Sequence, residues 1–332
     1  MKIIKNLFIF SILLFYTSAH SDDDSFALWI KSFKKVALDN AISENTFNKA
    51  MSNVKFLPKV IEYDRFQPEF YEDTITYITK RSSKKKIKKG INFFSENEII
   101  IKSISKKFAV EKELLLALMA IETNYGTYVG KMDILSSLAT LSFDKRRSDF
   151  FTNELITLLK LIQEGIIDHK ILYGSWAGAF GNFQFMPTTI KKYAIDYNSN
   201  NIIELHNLED SFASAANYIN KIGWKNNEPC FLKIKLSKDI PMKFLNTSAQ
   251  NIKNKKKLNY FKKYINDFEK LNINKNLTAA IITPDKEIVE NPNILSPAYL
   301  VFDNYELILK WNRSLRFALA VCTLKDKFTN EL

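Results

Sequence analysis

The sequence predicts a mainly helical α+β protein, in which a small strand-containing lobe interrupts a helical body. Apolar residues recur at helical spacing over much of the stretch from residue 25 to residue 224. Short β-like runs follow Cys230, and the last segment, "YELILKWNRSLRFALAVCTL", is again an amphipathic helix. The chain is therefore expected to return to its helical body after the lobe.

The composition is that of a globular protein. Of the 332 residues 46% are hydrophobic, which suffices for a large core and for two lobes, and eight glycines and eight prolines argue against a low-complexity chain. The net charge is +12, which permits an anionic partner. Lysines usually lie on solvated faces, so the charge alone assigns no function.

The N-terminus has the pattern of a secretory signal. Two lysines precede the apolar run "LFIFSILLF", and small and then acidic residues follow. The run is too short to span a bilayer comfortably, and no cysteine follows it to carry a lipid. We therefore predict a signal peptide over residues 1–21, a mature chain that begins near His20 or Asp22, and no stable membrane anchor. A retained anchor is the alternative interpretation.

Helices are expected on both sides of a basic run in the first third of the chain. Residues 25–42 show helical spacing, Ser43 begins a second helix, and a further helix is predicted from Phe93 to Phe108. The basic run "KRSSKKKIKKG" receives no function because charge runs are usually solvated. We assign residues 22–110 to a helical N-terminal extension.

Residues 111–229 are predicted to form a packed helical core. The helix in "ELLLALMAIETNYG" is expected to end at Asn124 and Gly126. Ser148 is expected to cap a leucine-rich helix, and Asp210 another helix, which ends at Gly223.

The lobe is predicted over residues 230–302. The segments "CFLKIKLSK", "AAIITP" and "AYLVFD" predict short strands, and a lysine-rich helix is expected between them at about 254–270. Residues 303–332 are then expected to complete the helical body. Cys230 and Cys322 leave two interpretations open, a disulfide in an oxidising compartment or two separate buried thiols.

One carboxylate lies at the end of the most apolar helix. At helical spacing Glu122 shares a face with Leu115, Leu118 and Met119. Burial there and the carbonyl groups of the helix end would both raise the pKa of the carboxyl group. A carboxylic acid that stays protonated near neutral pH is what a general acid requires. The alternative interpretation is a glutamate whose head group simply reaches water.

A glycine-rich stretch downstream supplies small polar groups. In "GSWAGAFGNFQFMPTTIKKYA" glycines, a serine and a glutamine precede a helix that begins at Pro187. Such a turn brings backbone N–H groups and small side chains close to a ligand. The segment "ANYINKIGW" places Asn217 and Tyr218 on a later helix. Without further context these would be packing residues.

Four motifs together resemble the lytic murein transglycosylases of the membrane-bound type B class. They are "AIETNYGTYVGKMDILSSLATLSFDKRR", "GSWAGAFGNFQFMP", "AANYINKIGW" and "YLVFDNYELILKWNRS", in the family's order and at near-family spacing. The resemblance runs from "RFQPEF" to "FALAV". It implies a lysozyme-like helical core with a helical N-terminal extension and a small β-containing lobe. The implied partner is the glycan strand of peptidoglycan, not nucleic acid.

The resemblance also implies roles for single residues. Glu122 matches the family's catalytic acid, and Ser175 matches a residue that orients the N-acetyl group of the muramoyl sugar. The residues that match sugar or groove contacts are Gln184, Tyr218, Asn217, Arg146, Arg147, Tyr77, Trp311 and Asn312. Trp311 stands where the family has tyrosine, which keeps an aromatic platform and loses the hydroxyl group. A solvated pair is the alternative for the two arginines.

The implied reaction uses one acid and no required cofactor. Glu122 would protonate the glycosidic oxygen and then accept the proton of the C6 hydroxyl group, which leaves a 1,6-anhydromuramoyl end in the periplasm. Ordinary glycosidases use two carboxylates. A hydrolytic muramidase, with Asp133, Asp144 or Asp149 as the second carboxylate, is therefore one alternative. A non-catalytic peptidoglycan-binding scaffold is another, although the catalytic and substrate-binding motifs occur together here.

Calcium is an optional ligand in this interpretation. Some members of the family bind it in an EF-hand-like loop that corresponds to "DYNSNNIIELHNLED". The oxygen ligands here would be Asp196, Asn198, Asn200, the Ile202 carbonyl group and Asp210. Two of these side chains are neutral amides, and Asn201 stands where a glycine normally turns the loop. An asparagine-rich turn is the default interpretation.

Overall fold

A computed structural model describes residues 22–67, 71–286 and 295–332. The predicted signal peptide over residues 1–21 lies outside this part of the chain, as do three residues of "RFQPEF". Within the same ranges no helix is both long and apolar enough to cross a bilayer.

The described chain is mainly helical, as predicted. The helices are α1 (22–39), α2 (Glu44–Met51), α3 (Pro58–Arg65), α4 (Thr74–Arg81), α5 (Lys84–Glu96), α6 (Glu98–Phe108), α7 (Lys112–Thr123), α8 (Ile134–Phe143), α9 (Ser148–Gln163), α10 (Pro187–Tyr193), α11 (Leu208–Lys221), α12 (Asp303–Trp311) and α13 (Leu315–Glu331). The strands are β1 (Met132–Asp133), β2 (Tyr173–Gly174), β3 (Phe231–Ile234), β4 (Leu245–Asn246), β5 (Lys256–Lys257), β6 (Thr278–Ile282) and β7 (Ala298–Val301).

The chain divides into two compact units, each built from separate segments. Of the described residues, the first unit holds those up to Arg65 together with Val129–Lys192 and Ser199–Glu204, and the second holds those within Phe66–Tyr128, Tyr193–Asn198 and Leu205–Leu332. The domain boundaries predicted after residues 110, 229 and 302 were placed where the sequence pattern changes, whereas the two units are defined by contacts between residues. These boundaries stay a prediction.

Helices α8 and α9 form the centre of the first unit. Helix α8 is buried over its first nine residues, from Ile134 to Ser142, and α9 packs along it with Phe151 and the predicted leucines inside. Helix α2 packs on α9 and begins at Ser43, whose hydroxyl oxygen accepts the Thr46 N–H. That start agrees with the sequence, because a serine at this position satisfies a free donor of the first turn.

Helix α7 is the central helix of the second unit. Its residues from Leu114 to Ala120 are all buried. The long helix α13 packs along it, and α5, α6 and α11 also contact it. A helix that is apolar all round requires neighbours on every side, and these helices provide them.

The lobe contains a five-stranded sheet in the second unit. Its strand order is β3-β7-β6-β4, with β5 paired to β6, and only the β4–β6 pair is parallel. The three segments predicted as strands supply β3, β6 and β7. Cys230 and Cys322 form a disulfide with their Cα atoms 6.1 Å apart, so the start of β3 is joined to α13. The pairing decides between the two interpretations that the sequence left open.

The prediction of a lysine-rich helix at about 254–270 is wrong. This segment forms β5, a 3₁₀ helix over Leu258–Tyr264 and a second one over Phe268–Lys270. The buried residues of the longer 3₁₀ helix are Leu258, Phe261 and Tyr264, three residues apart. Side chains three apart lie on one face of a 3₁₀ helix, so this spacing suits the tighter helix.

Three helix boundaries also differ from prediction. Asn97 separates α5 from α6, because its side-chain amide donates to the Phe93 carbonyl oxygen and ends α5. Arg147, not Ser148, precedes α9, and the Ser148 hydroxyl group donates to the Ser142 carbonyl oxygen. Helix α11 is capped by the side chain of Asn207, so Asp210 lies in its first turn. Gly223 follows the end of α11, as expected.

Candidate active site

Glu122 lies in the last turn of α7. The helix ends at Thr123, and Asn124 takes the left-handed conformation with φ 50° and ψ 52°, as the Asn–Gly signal predicted. Tyr125 and Gly126 also have positive φ, so the chain turns sharply away from the helix. Residues Leu114 to Ala120 are buried, whereas Ile121 and Glu122 are half-buried. The core therefore anchors the helix while its last turn presents the carboxylate at the edge of the core.

Two lysines of the basic run stabilise this helix end. The Lys86 ammonium group donates to the Ala120 carbonyl oxygen at 2.6 Å, and the Lys89 ammonium group donates to that of Asn124 at 2.7 Å. Burial is the main cause that lowers the pKa of Lys86, and the nearby charges of Arg81 and Lys89 add to it. Cations at a helix C-terminus satisfy carbonyl groups that the helix leaves unpaired. From the sequence we assigned this run no function, so these contacts were missed.

Trp311 contacts the carboxylate directly. Its indole N–H donates to Glu122 Oε1 at 2.9 Å. Trp311 is the last residue of α12, which packs on α13, and α13 packs on α7. Because an indole nitrogen can only donate, Oε1 must act as the acceptor. The structure therefore gives Trp311 a contact with the acid itself, in addition to the aromatic platform predicted from the resemblance.

Trp311 is also the end of an aromatic stack. The ring centroids of Tyr218 and Trp311 lie 5.0 Å apart, those of Tyr193 and Tyr218 lie 4.3 Å apart, and both pairs are nearly parallel at 19°. The Tyr218 hydroxyl group donates to the Lys310 carbonyl oxygen at 2.9 Å, and the Asn217 amide donates to that of Tyr193 at 2.8 Å. These contacts hold the indole in one orientation.

The Tyr218 hydroxyl group is a permanent donor in this stack. Burial, with a smaller contribution from Tyr193, raises the pKa of Tyr218 to about 12. The bond to Lys310 is therefore kept at every pH at which the protein would work. Tyr193 was not predicted as a site residue, and nothing in "TTIKKYAIDYN" distinguishes it from an ordinary aromatic residue at a helix end.

Tyr77 and Asn312 occupy structural positions in the second unit. Tyr77 is buried, and the Arg81 guanidinium carbon lies 3.4 Å from its ring centroid. Asn312 is the C-cap of α12, and its N–H donates to the Ile308 carbonyl oxygen at 3.0 Å. The substrate contacts expected for both residues stay predictions.

The glycine-rich stretch is held by its own polar residues in the first unit. The Ser175 hydroxyl oxygen accepts the Ala179 N–H at 3.1 Å. Gln184 has φ 50°, and its side-chain amide donates to the carbonyl oxygens of Val129 and Gly181. At Gly178, φ is +83° and a Cβ would lie 2.3 Å from a methyl carbon of Leu138, so only glycine fits there. The sugar contacts of Ser175 and Gln184 stay predictions.

Both predicted arginines bind one buried carboxylate. Arg146 Nε donates to Asp64 Oδ2 at 2.7 Å, and Arg147 donates to Asp64 Oδ1. Asp64 is only 2% exposed, whereas the side chains of Arg146 and Arg147 are 45% and 38% exposed. The arginines are thus fixed in place and differ from the freely solvated pair of the alternative interpretation. Asp64 was missed because no local pattern marks it.

The family match is decisive for identity. The sequence model of the family described as "Transglycosylase SLT domain" matches residues 25–326. The chain belongs to the transglycosylase SLT domain family. The resemblance to lytic transglycosylases inferred from the four motifs is therefore confirmed.

Individual relatives agree with this assignment. The "Membrane-bound lytic murein transglycosylase B" of Escherichia coli (strain K12) is 36% identical over 139 residues, which are 42% of this chain and 38% of that protein. The matched part is thus well under half of the curated relative. SltB3 from Pseudomonas aeruginosa, solved in complex with NAG-NAM-pentapeptide, is similar with a TM-score of 0.78 and 29% identity over 92% of this chain and 79% of that chain.

The fold is shared more widely. The Escherichia coli lytic transglycosylase SLT35 in complex with bulgecin A has a TM-score of 0.74 at 23% identity, over 91% of this chain and 93% of that chain. At this identity the similarity concerns the fold alone. Together with SltB3 it confirms the predicted fold class, a lysozyme-like, mainly helical protein with a small sheet.

The candidate second carboxylates of this transglycosylase domain have local structural contacts. Asp133 caps α8 by accepting the Ser136 N–H at 2.7 Å, and Asp144 pairs with Arg65 at 2.9 Å. Asp149 lies in the first turn of α9, where a negative charge is favoured. Each of the three carboxylates thus has a local structural role, and the single-acid reaction stays a prediction.

Two of the predicted calcium ligands, Asp210 and Asn200, make hydrogen bonds within the predicted loop. Asp210 is fully buried, and its Oδ1 accepts the Tyr197 N–H at 2.8 Å. Asn200 Oδ1 accepts the Ile202 N–H at 2.9 Å, and Asn201 takes the left-handed conformation with φ 71°. Within residues 22–67, 71–286 and 295–332 no group of three or more His, Cys, Asp or Glu side chains is arranged to hold a metal ion. Calcium binding by this loop stays a prediction, with an asparagine-rich turn as its alternative.

Proposed function

We propose that this protein is a lytic transglycosylase that cleaves the bond between N-acetylmuramic acid and N-acetylglucosamine in peptidoglycan. The observation that carries the proposal is Glu122, held at the end of α7 by the indole N–H of Trp311, in a member of the transglycosylase SLT domain family. The names of the relatives support the substrate class, since one is a murein transglycosylase and another was solved with NAG-NAM-pentapeptide.

In the first half-reaction Glu122 acts as the acid. It gives its proton to the glycosidic oxygen, the bond from that oxygen to C1 of the muramoyl sugar breaks, and the N-acetylglucosamine side leaves with a hydroxyl group. The positive charge that develops at C1 is stabilised by the substrate's own N-acetyl group, so no second carboxylate is needed. Ser175 is the residue that we expect to orient that group.

In the second half-reaction the Glu122 carboxylate acts as the base. The C6 hydroxyl group of the muramoyl sugar attacks C1, and its proton returns to Glu122. The product carries a 1,6-anhydro bridge, no water is consumed, and the acid is regenerated. One carboxyl group thus serves both steps.

The hydrogen bond from Trp311 makes the two carboxyl oxygens of Glu122 chemically different. Oε1 accepts the indole N–H, so the carbonyl-like oxygen of the protonated acid is favoured there and the transferable proton is favoured on Oε2. A hydrogen bond to a carboxylate is stronger than one to a neutral carboxyl group. The indole therefore stabilises the ionised state that forms between the two half-reactions.

The other predicted residues complete the proposal. We infer that Gln184, Asn217, Tyr218 and Asn312 contact the sugars or hold the residues that do, and that Tyr77 contributes to the groove. Arg146 and Arg147, fixed by Asp64, present the planar donors that suit carboxylates of the lactyl group or of the peptide. The protein would act in the periplasm, which agrees with the signal-like N-terminus and with the cell-wall polymer named for its relatives.

Digestion of purified sacculi tests the reaction type. The wild-type protein is expected to release muropeptides with anhydromuramoyl ends, which mass spectrometry identifies because hydrolytic ends are heavier by one water. Mainly hydrolytic ends would contradict the proposal and identify a muramidase. Sacculi that stay intact would indicate a binding protein without activity.

A further inference from the structure

A pocket lies along the end of α12, beside the residue that contacts the acid. It has a volume of about 430 Å³ and is formed by Ala249–Ile252 together with Glu306, Leu309, Lys310 and Arg313. Lys310 directly precedes Trp311 in the chain, and its carbonyl oxygen accepts the Tyr218 hydroxyl group at 2.9 Å. The turn of backbone that orients Trp311 therefore also forms one wall of the pocket. We call it the α12 pocket.

The opposite wall is a loop with a fixed geometry. It is closed at its ends by Asn246, which is buried, accepts the Lys253 N–H at 2.8 Å and donates to the Lys253 carbonyl oxygen at 3.1 Å. The same amide donates to the Ile281 carbonyl oxygen of β6, which fastens the loop to the sheet. Ile252 and Leu309, both 7% exposed, give the pocket an apolar floor.

The charge of the α12 pocket is positive. Glu306 pairs with Lys255 at 2.5 Å, so its charge is compensated. Lys310 and Arg313 are exposed, and neither has a carboxylate within 4.0 Å in the part of the chain that the structure describes. The side-chain amides of Gln250 and Asn251 also make no hydrogen bond to another described residue. Two cations and two amides are thus available to a ligand.

We propose that the α12 pocket binds the carboxylate-bearing stem peptide of the glycan strand that is being cleaved, an inference that rests on the function proposed above. A guanidinium group and an ammonium group three residues apart suit carboxylates, and the amides suit the peptide backbone. The apolar floor suits small side chains. A neutral sugar would use the amides and leave both cations without a partner, so a peptide explains more of the lining.

The test measures binding in the Glu122→Gln background, where turnover does not interfere. Lys310→Gln with Arg313→Gln is compared with a control, Lys238→Gln with Lys257→Gln, which removes two exposed lysines of the β-containing lobe that do not line the pocket. Three ligands are titrated: a disaccharide-pentapeptide, the same compound with its peptide carboxylates converted to amides, and the disaccharide without peptide. Melting temperatures verify that all variants are folded.

We expect the pocket variant to bind the disaccharide-pentapeptide about threefold to tenfold more weakly, the range for losing two partly solvated ion pairs. The amidated ligand and the peptide-free disaccharide should lose no affinity, and the control should bind all three like the parent. An equal loss with the amidated ligand, no loss with any ligand, or an equal loss with the peptide-free disaccharide would each overturn the proposal. Failure of the proposed function would appear separately, as wild-type protein that releases no anhydro ends.

Discussion

Replacing Trp311 by phenylalanine isolates the hydrogen bond to Glu122. Phenylalanine keeps an aromatic ring beside Tyr218, whose centroid lies 5.0 Å from that of the indole, and it removes the donor that lies 2.9 Å from Glu122 Oε1. Trp311→Tyr is the matched control, because tyrosine restores a polar hydrogen on an aromatic ring.

The expected magnitude follows from the charge of the acceptor. A hydrogen bond to a charged group contributes about 1.5–3 kcal/mol and one to a neutral group about 0.5–1.5 kcal/mol. Losing the donor therefore costs the ionised form about 1–2 kcal/mol more than the protonated form. At about 1.4 kcal/mol per tenfold, this difference moves the protonation equilibrium by about one pH unit.

The assay is the pH profile of kcat/KM for release of muropeptides from sacculi. For Trp311→Phe we expect activity to fall tenfold or more at neutral pH, and its alkaline limb to move upward by about one pH unit, because the acid keeps its proton longer. Trp311→Tyr should lie between the wild type and Trp311→Phe. An unchanged alkaline limb together with an unchanged rate would show that the indole N–H has no role in the chemistry.

Three further predictions concern stability and orientation. Cys230→Ser with Cys322→Ser should lower the free energy of unfolding by about 2–4 kcal/mol in urea titrations, since the bond closes a loop with a sequence separation of 92; unchanged stability would contradict this. Burial raises the pKa of Glu154 in the folded protein. The stability that the Glu154 side chain contributes is therefore fully present below the ordinary pKa of 4.5, and it is lost as the pH rises through the raised pKa of the folded state. The melting temperature of Glu154→Gln should therefore decline less than that of the wild type above pH 4.5, and parallel curves would refute the pKa shift. Ser175→Ala should reduce muropeptide release less than Glu122→Gln does, because the acid remains, and an equally inactive variant would assign Ser175 a larger role.

Sequence patterns predicted those features that depend only on residues close together in the chain. The end of α7 follows from Asn124 and Gly126, since left-handed residues terminate a helix whatever surrounds it. The apolar run before Glu122 likewise made α7 the core helix. The strands β3, β6 and β7 were predicted correctly because their β-like runs are also local signals.

Contacts between distant residues were beyond such signals. Trp311 and Glu122 lie 189 residues apart. The resemblance implied an aromatic platform at Trp311, but no local pattern could reveal its hydrogen bond to Glu122. Asp64 reaches Arg146 and Arg147 across more than 80 residues of chain. The disulfide required that two Cα atoms approach to 6.1 Å, which only the packing of β3 and α13 determines.

The predicted helix at about 254–270 shows a different limit. Lysine is a good helix former, and this composition favoured a helix. The tertiary packing of Leu258, Phe261 and Tyr264 selects a 3₁₀ helix, because these side chains are buried at every third position. Composition was therefore the weaker signal, and the spacing of the apolar residues was the better one.

Glu122→Gln tests the central claim, that one carboxyl group performs both proton transfers. The amide is nearly isosteric, so packing of α7 should survive, but it can neither give a proton to the glycosidic oxygen nor accept one from the C6 hydroxyl group. Glu113→Gln, in the first turn of the same helix, is the matched control for loss of a carboxylate. The decisive measurement is the release of anhydromuropeptides from sacculi, with melting temperature and muropeptide affinity recorded for each variant. We predict that Glu122→Gln keeps its fold and its affinity and loses at least about 10²–10⁴-fold in release, whereas Glu113→Gln remains active. Near wild-type release by a folded Glu122→Gln protein would contradict the account and assign the chemistry to another carboxylate.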